Sequence, residues 1–104
     1  MGYVYLIHDK DKDVYKIGVT KSNSSKRLKQ LQTGNSTELN IIYLFKTEYP
    51  FRLETMLHKH FNNQNVRGEW FKLDNIDDYM KVCENTNNII ESLKDNPFFS
   101  KKLH

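Results

Sequence analysis

Apolar and polar side chains alternate on both sides of a charged stretch near the start of the chain. The runs Tyr3 to Ile7 and Val14 to Val19 are rich in β-branched and aromatic residues, and the charged residues 8–13 separate them. Alternation with a period of two is typical of strands, and two such runs joined by a short polar segment are typical of a hairpin. The pattern therefore predicts an antiparallel hairpin.

A longer run, Leu39 to Phe45, is apolar at five successive positions, 41–45. A strand that is covered on both faces has this pattern, so we expect a central strand that pairs with the hairpin. Between the hairpin and this strand, the polar residues 22–25 offer N-cap side chains for a helix that carries Leu28 and Leu31 at helical spacing. Gly34 is suited to ending that helix.

The second half of the chain has helical spacing in two places. Leu53, Leu57 and Phe61 recur every four residues after Pro50, which predicts an amphipathic helix, because proline is tolerated in the first turn. A second helix is predicted at 76–95. Between the two helices, Glu69 to Leu73 predicts a short extended piece. The whole order predicts an α+β fold, a small three-stranded antiparallel sheet flanked by helices, with a C-terminal helix.

Length and composition limit the classes of protein. A chain of 104 residues suits one core, so we expect a single domain at 1–104. No apolar run approaches the roughly 20 residues that span a bilayer, and the chain starts in a strand pattern, so we expect a soluble, intracellular protein with no membrane partner. The single cysteine, Cys83, excludes an internal disulfide. A net charge of +3 favours nucleic acid only mildly.

The hairpin holds Gly2-Tyr3-Val4-Tyr5 and Lys16-Ile17-Gly18, and Arg27 and Glu54 follow on separate helices. In this order and spacing the chain resembles the GIY-YIG nuclease superfamily. It is most similar to the branch found in phages and large DNA viruses that is catalogued as a DNA-binding domain. That branch shares four motifs, here Tyr15-Lys16-Ile17-Gly18, Arg27-Leu28, Thr33-Gly34-Asn35 and Gly68-Glu69-Trp70-Phe71. The resemblance covers about residues 2–73.

The resemblance implies a metal-dependent DNA endonuclease that hydrolyses phosphodiester bonds by direct attack of water. It implies that Glu54 holds one Mg²⁺ or Mn²⁺ and that Arg27 clamps the phosphate oxygens. Tyr5 would hold or deprotonate the attacking water, and Tyr3, on the same strand face, is the alternative. His58, one turn from Glu54, would orient that carboxylate, aid the leaving group or contact phosphate. A viral protein of this kind would act in the host cytoplasm or nucleus.

Two positions depart from the family pattern. Lys16 stands where the second family tyrosine is expected, and Leu31 stands where many members have a histidine. A partly desolvated amine can accept a proton or stabilise a phosphate oxygen, so we predict a catalytic role for Lys16. The departures leave two alternatives open, a catalytically silent DNA-binding module on the same fold and a protein-interaction fold. The retained carboxylate of Glu54 favours the nuclease, because it would repel phosphate unless a cation intervened.

Each candidate also has a purely structural alternative. Glu54 could be an exposed helix residue and Arg27 a solvated one. Tyr5 could be a core tyrosine and His58 a structural histidine. Trp70 and Phe71 are expected to cap the core, with base stacking as the alternative. Four lysines near the proposed site are predicted to contact DNA phosphates or else to form a solvated face: Lys21, Lys26, Lys29 and Lys59. The oligomeric state stays open, although a homodimer would let so small a nuclease cut both strands in one encounter.

Overall fold

The computed structural model of this chain describes residues 2–21 and 38–94. The helix predicted after residue 22 lies outside these ranges. The roles predicted for Arg27, Lys26 and Lys29 therefore stay predictions, as does the effect of Leu31.

The described residues form an α+β fold, as the sequence predicts. The elements are β1 (Gly2–Asp9), β2 (Val14–Thr20), β3 (Leu39–Thr47), α1 (Pro50–His60), a 3₁₀ turn (Asn62–Gln64), β4 (Asn65–Arg67), β5 (Trp70–Phe71) and α2 (Ile76–Leu93). The strands make one antiparallel sheet in the order β3-β1-β2-β5-β4. Neither helix is long and apolar enough to cross a membrane, within the residues described.

The expected number of three strands was wrong, because the sheet has five. The two additional strands are a small hairpin formed around Gly68, which has a φ of +56° that glycine adopts without steric cost. The Asn65 side-chain amide donates to the backbone oxygens of Gly68 (2.8 Å) and Trp70 (3.1 Å) and so closes this turn. Strands of three and two residues are too short to show a period of their own.

The hairpin of β1 and β2 is confirmed, and its register pairs Tyr5 with Gly18. Asp9 stabilises the turn, since its carboxylate accepts from the backbone amides of Asp11 (3.1 Å) and Lys12 (3.2 Å). This arrangement is an Asx turn, in which a short side chain replaces a backbone acceptor.

The prediction that β3 is a central strand was wrong. β1 is an inner strand, paired with β2 on one side and β3 on the other, and β3 is the edge strand. A register shift of β1 between Leu6 and Ile7 leaves Ile42 without an opposite residue, and Ile42 is 40% exposed. The bulge at Ile42 reverses which face of the sheet the odd-numbered residues of β3 point to. Residues on both faces of β3 are apolar, so they form one continuous apolar run in the sequence.

Apolar side chains cover both faces of the sheet. On one face, α1 and α2 pack on the strands through Leu6, Ile17, Leu53, Leu57, Tyr79, Cys83 and Ile90. On the other face, Tyr5, Ile7 and Leu39 form a smaller cluster with Trp70 against it. We call this second side the Tyr5 face. Cys83 is fully buried, and burial raises the pKa of its thiol to about 11, so it is a core residue at neutral pH.

Candidate metal and phosphate site

Helix α1 carries Glu54 and His58 along one flank. Leu53 and Leu57 of the same helix are fully buried against the sheet. Residues 54 and 58 lie one position further round the helix and one turn apart, so both are half-buried beside the core. The apolar spacing that anchors α1 therefore also sets the direction of these two polar side chains.

β5 begins only at Trp70, so the edge of β2 is open beyond Ile17. The backbone amide of Ile17 donates to the Glu69 carbonyl (3.1 Å), but the segment before Glu69 turns away from β2 at Gly68. The Ile17 carbonyl meets Nε2 of His58 at 3.0 Å instead. A carbonyl only accepts, so Nε2 donates the proton of this bond, and in the tautomer that carries its proton on Nε2 the lone pair is on Nδ1.

Lys16 and Glu69 complete the site from the sheet side. Lys16 pairs with Trp70 in the register, and its Nζ lies 2.8 Å from Oε2 of Glu69 and 5.6 Å from the centre of the Trp70 ring. Its side chain is 13% exposed, so the ammonium is held near the protein surface and not extended into solvent. Lys16 lies on the Tyr5 face, because it is opposite Ile7 in the hairpin.

Three potential metal ligands meet at this place. One ligand atom from each of Glu54, His58 and Glu69 lies within 4.8 Å of the other two. Neighbouring and opposite ligands of an octahedral ion with bonds of 2.0–2.1 Å are about 3 and 4.2 Å apart, so small rotations of these side chains would bring them into range. Carboxylates suit Mg²⁺ or Mn²⁺ and an imidazole suits metals such as Zn²⁺, so this set of ligands fits a divalent cation, and the choice of Mg²⁺ or Mn²⁺ stays a prediction.

The charges in the cluster favour a cation. Burial raises the pKa of Glu54, and the neighbouring Glu69 raises it further, while His58 and Lys16 act in the opposite direction. The ionised form of Glu54 is therefore disfavoured in the folded chain, and a divalent ion between the two carboxylates would relieve both causes.

Tyr5 lies deeper than the other candidates and is 1% exposed. Its ring extends from β1 across Gly18 of β2, and a Cβ at residue 18 would overlap the Tyr5 ring and hydroxyl. The Tyr5 hydroxyl therefore lies over Gly18. Gly18 follows Ile17, and the carbonyl of Ile17 contacts His58. Tyr3 shares the face of Tyr5 and is half-buried. The catalytic roles of these tyrosines stay predictions.

An open cleft of about 450 Å³ lies beside two of the three ligands. Glu54, His58 and Lys59 line it together with Thr55 of α1 and Asn62 of the 3₁₀ turn. Lys59 is exposed there, as its predicted phosphate contact requires. Lys21 lies in a different shallow depression, beside Phe51, at the start of α1.

Glu69 is the candidate ligand that the sequence does not predict. The sequence names it only within the Gly68-Glu69-Trp70-Phe71 motif, without a role. Its contact with Lys16 depends on the short β2–β5 pairing, which no periodicity shows. One feature of the sequence could have indicated a role for Glu69. It is a charged residue directly before two aromatic residues, in a segment that is predicted to be extended and can therefore pair with the sheet.

Comparisons with known proteins identify the family of this chain. The model of a family described as the T5orf172 domain matches residues 2–91. A protein of Acanthamoeba polyphaga mimivirus, printed as "Uncharacterized protein L754", is 35% identical over 81 residues. That match covers 76% of this chain and 21% of the mimivirus protein, so the chain spans about a fifth of that relative. No solved structure matches the chain.

Proposed function

The chain belongs to the T5orf172 domain family, a phage and viral domain associated with endonuclease-like or DNA-binding function, and we propose that it is a metal-dependent DNA endonuclease of the GIY-YIG type. It would hydrolyse phosphodiester bonds by direct attack of water. The observation that carries this proposal is the cluster of Glu54, His58 and Glu69 beside the ammonium of Lys16.

The ligand set argues for catalysis over binding alone. Phosphate is an anion, and two carboxylates close together repel it unless a cation lies between. A surface used only for DNA binding has no need of Glu54 and Glu69 in half-buried positions. A bound Mg²⁺ or Mn²⁺ supplies charge neutralisation on the phosphoryl oxygens and a more acidic water.

The other residues contribute positions and charge. The Lys16 ammonium, fixed by Glu69, would donate to a non-bridging phosphate oxygen as negative charge develops there. His58, fixed through Nε2 by the Ile17 carbonyl, would present Nδ1 to the ligand set. Glu54 and Glu69 would hold the metal ion from two separate elements of the fold, helix α1 and the segment before β5. None of these roles needs a covalent intermediate.

Arg27 and Tyr5 complete the proposal. Arg27 would clamp the phosphate through its planar guanidinium. Tyr5 would hydrogen-bond the attacking water, and the placement of its ring against Gly18 fixes its hydroxyl on the strand that carries Lys16. Exposed Lys59 would contact the DNA backbone and add affinity without reading sequence.

A catalytically silent DNA-binding module is the second candidate. The Lys16–Glu69 ion pair favours it, because the amine already has a partner and the family tyrosine is absent. Both candidates predict DNA binding, so binding does not separate them.

Nicking of supercoiled plasmid separates the two candidates. We expect nicking with Mg²⁺ or Mn²⁺ and none with a chelator. Glu54→Gln should abolish nicking and keep the fold, whereas Glu48→Gln, which removes an exposed carboxylate outside the cluster, should cut like wild type. Binding of DNA without cleavage in either metal, tested on branched as well as supercoiled DNA, would establish the silent module.

A further inference from the structure

A second cleft, of about 500 Å³, lies on the Tyr5 face beside the turn of the β1–β2 hairpin. We call it the hairpin cleft. It is lined chiefly by three basic, two aliphatic and one aromatic side chain, Lys12, Arg67, Lys72, Val14, Val66 and Trp70. Its volume lies in the range of pockets that take one small molecule, roughly 300–1,000 Å³. It therefore has room for one nucleotide.

The charge of the hairpin cleft is complementary to a polyanion. Lys12, Arg67 and Lys72 are all exposed at its walls. Asp9 supplies the one carboxylate among the described residues that line it, and that carboxylate accepts from the backbone amides of Asp11 and Lys12 in the turn. Within the described part of the chain, none of the three cationic side chains forms an ion pair, so they outnumber the one carboxylate of the cleft as possible partners of phosphate.

The hairpin cleft adjoins the proposed metal site. Trp70 lines the cleft, and its ring centre lies 5.6 Å from the ammonium of Lys16. The same ammonium contacts Glu69 at 2.8 Å. A DNA strand whose phosphate lies at Glu69 and Lys16 would reach the hairpin cleft with its neighbouring nucleotide.

We propose that the hairpin cleft binds one unpaired nucleotide of a DNA strand, next to the phosphate that is cut. The base stacks on Trp70 between the two valines, and its phosphate contacts Arg67 and Lys72. The preferred substrate is then DNA with a single-stranded segment, such as a gap, flap or branch. This inference rests on the proposed function, because it names the substrate of the same site.

Trp70 provides the test, since it is the one tryptophan of the chain and its fluorescence reports on the cleft. Wild-type protein in chelator is titrated with a short oligothymidylate, with an intact duplex of equal length and with thymidine monophosphate. We expect saturable quenching by the oligothymidylate and little by the other two. Arg67→Gln or Lys72→Gln should weaken binding and lower the slope of log affinity against log salt by roughly 0.7 each. Lys81→Gln, which removes an exposed charge of α2 outside the cleft, is the matched control.

Several results would overturn this inference. Equal quenching by intact duplex would remove the requirement for an unpaired base, and equally tight binding of the mononucleotide would make the cleft a free-nucleotide site. Displacement of the oligothymidylate by polyglutamate at equal charge concentration would make it a general site for acidic chains. Binding by Arg67→Gln and Lys72→Gln equal to that of Lys81→Gln would place the strand elsewhere.

The test is independent of cleavage, because no metal is present. If the protein nicks plasmid but lacks these binding preferences, the proposed endonuclease function stands and the role of the hairpin cleft is refuted. A protein with these preferences but without nicking in metal would keep the cleft as part of a silent binding module.

Discussion

Replacing Glu54 by glutamine should stabilise the chain in metal-free buffer at neutral pH. Ligand oxygens of Glu54 and Glu69 lie within 4.8 Å of each other. Two unit charges at that separation repel by about 0.9 kcal/mol in bulk water and by about 3.5 kcal/mol at an effective dielectric constant of 20. Lys16 and His58 offset part of this repulsion, and the site is partly open to water. We therefore expect a net gain of about 1 kcal/mol, or a rise in Tm of roughly 4 to 8 °C.

The gain should depend on pH with a defined sign. The pKa of Glu54 is raised in the folded chain, so its carboxyl contributes stability that is fully present below the unfolded-state pKa and is lost as pH rises through the folded-state pKa. Glutamine does not titrate. The difference in Tm between Glu54→Gln and wild type should thus be largest at neutral pH and disappear below about pH 4, near the ordinary glutamate pKa.

Thermal unfolding followed by circular dichroism in chelator, at a series of pH values, measures this difference. Glu48→Gln is the control, because residue 48 is exposed and lies outside the cluster. A Glu54→Gln protein less stable than wild type at neutral pH, or a gain that grows as the pH falls, would show that the carboxylate makes a net favourable contact. The reasoning about a cation-seeking cluster would then be wrong.

Three further predictions concern the chemical step, measured as single-turnover rates at saturating enzyme. Arg27→Ala should lower the rate roughly a hundredfold or more, the scale for removing one donor to a developing charge, with a smaller loss of affinity; loss of affinity at an unchanged rate would make Arg27 a phosphate anchor only. Lys16→Met should destroy cleavage, whereas Lys16→Tyr should retain some, and a Lys16→Met protein as active as wild type would refute the role of the amine. Tyr5→Phe keeps the packing on Gly18 and should lower the rate by roughly a hundredfold at unchanged Tm; an unchanged rate would make Tyr5 a core residue only.

The sequence predicts well the elements in which the spacing of apolar residues repeats several times. The hairpin, α1 and α2 each repeat their apolar spacing several times, and the polar residues 85–88 do not interrupt α2. The extended piece predicted at Glu69 to Leu73 is confirmed by β5, but β4 and the pairing of both strands escape this reasoning because they depend on the turn at Gly68 and on the exposed edge of β2. The position of β3 at the sheet edge was hidden by the bulge at Ile42, which makes an edge strand read as a buried one.

The sequence predicts some contacts of the candidate site, and only the tertiary structure shows the others. Glu54 and His58 are four residues apart on one helix, so their proximity follows from the sequence. Glu69 joins them only through tertiary structure, where a two-residue strand brings it to Lys16. The burial of Tyr5 depends on the absence of a side chain at Gly18, a cross-strand relation that only the register reveals.

The central claim is that Glu54, His58 and Glu69 form a metal centre. The most direct test is to measure the stoichiometry of Mn²⁺ binding from the electron paramagnetic resonance signal of the Mn²⁺ that stays free in solution. The account predicts one bound ion per chain in wild type and in Glu48→Gln, with strongly weakened binding in Glu54→Gln and Glu69→Gln. Retention of wild-type Mn²⁺ affinity in both cluster variants, or no binding by the wild-type chain, would contradict the claim that Glu54, His58 and Glu69 form a metal centre.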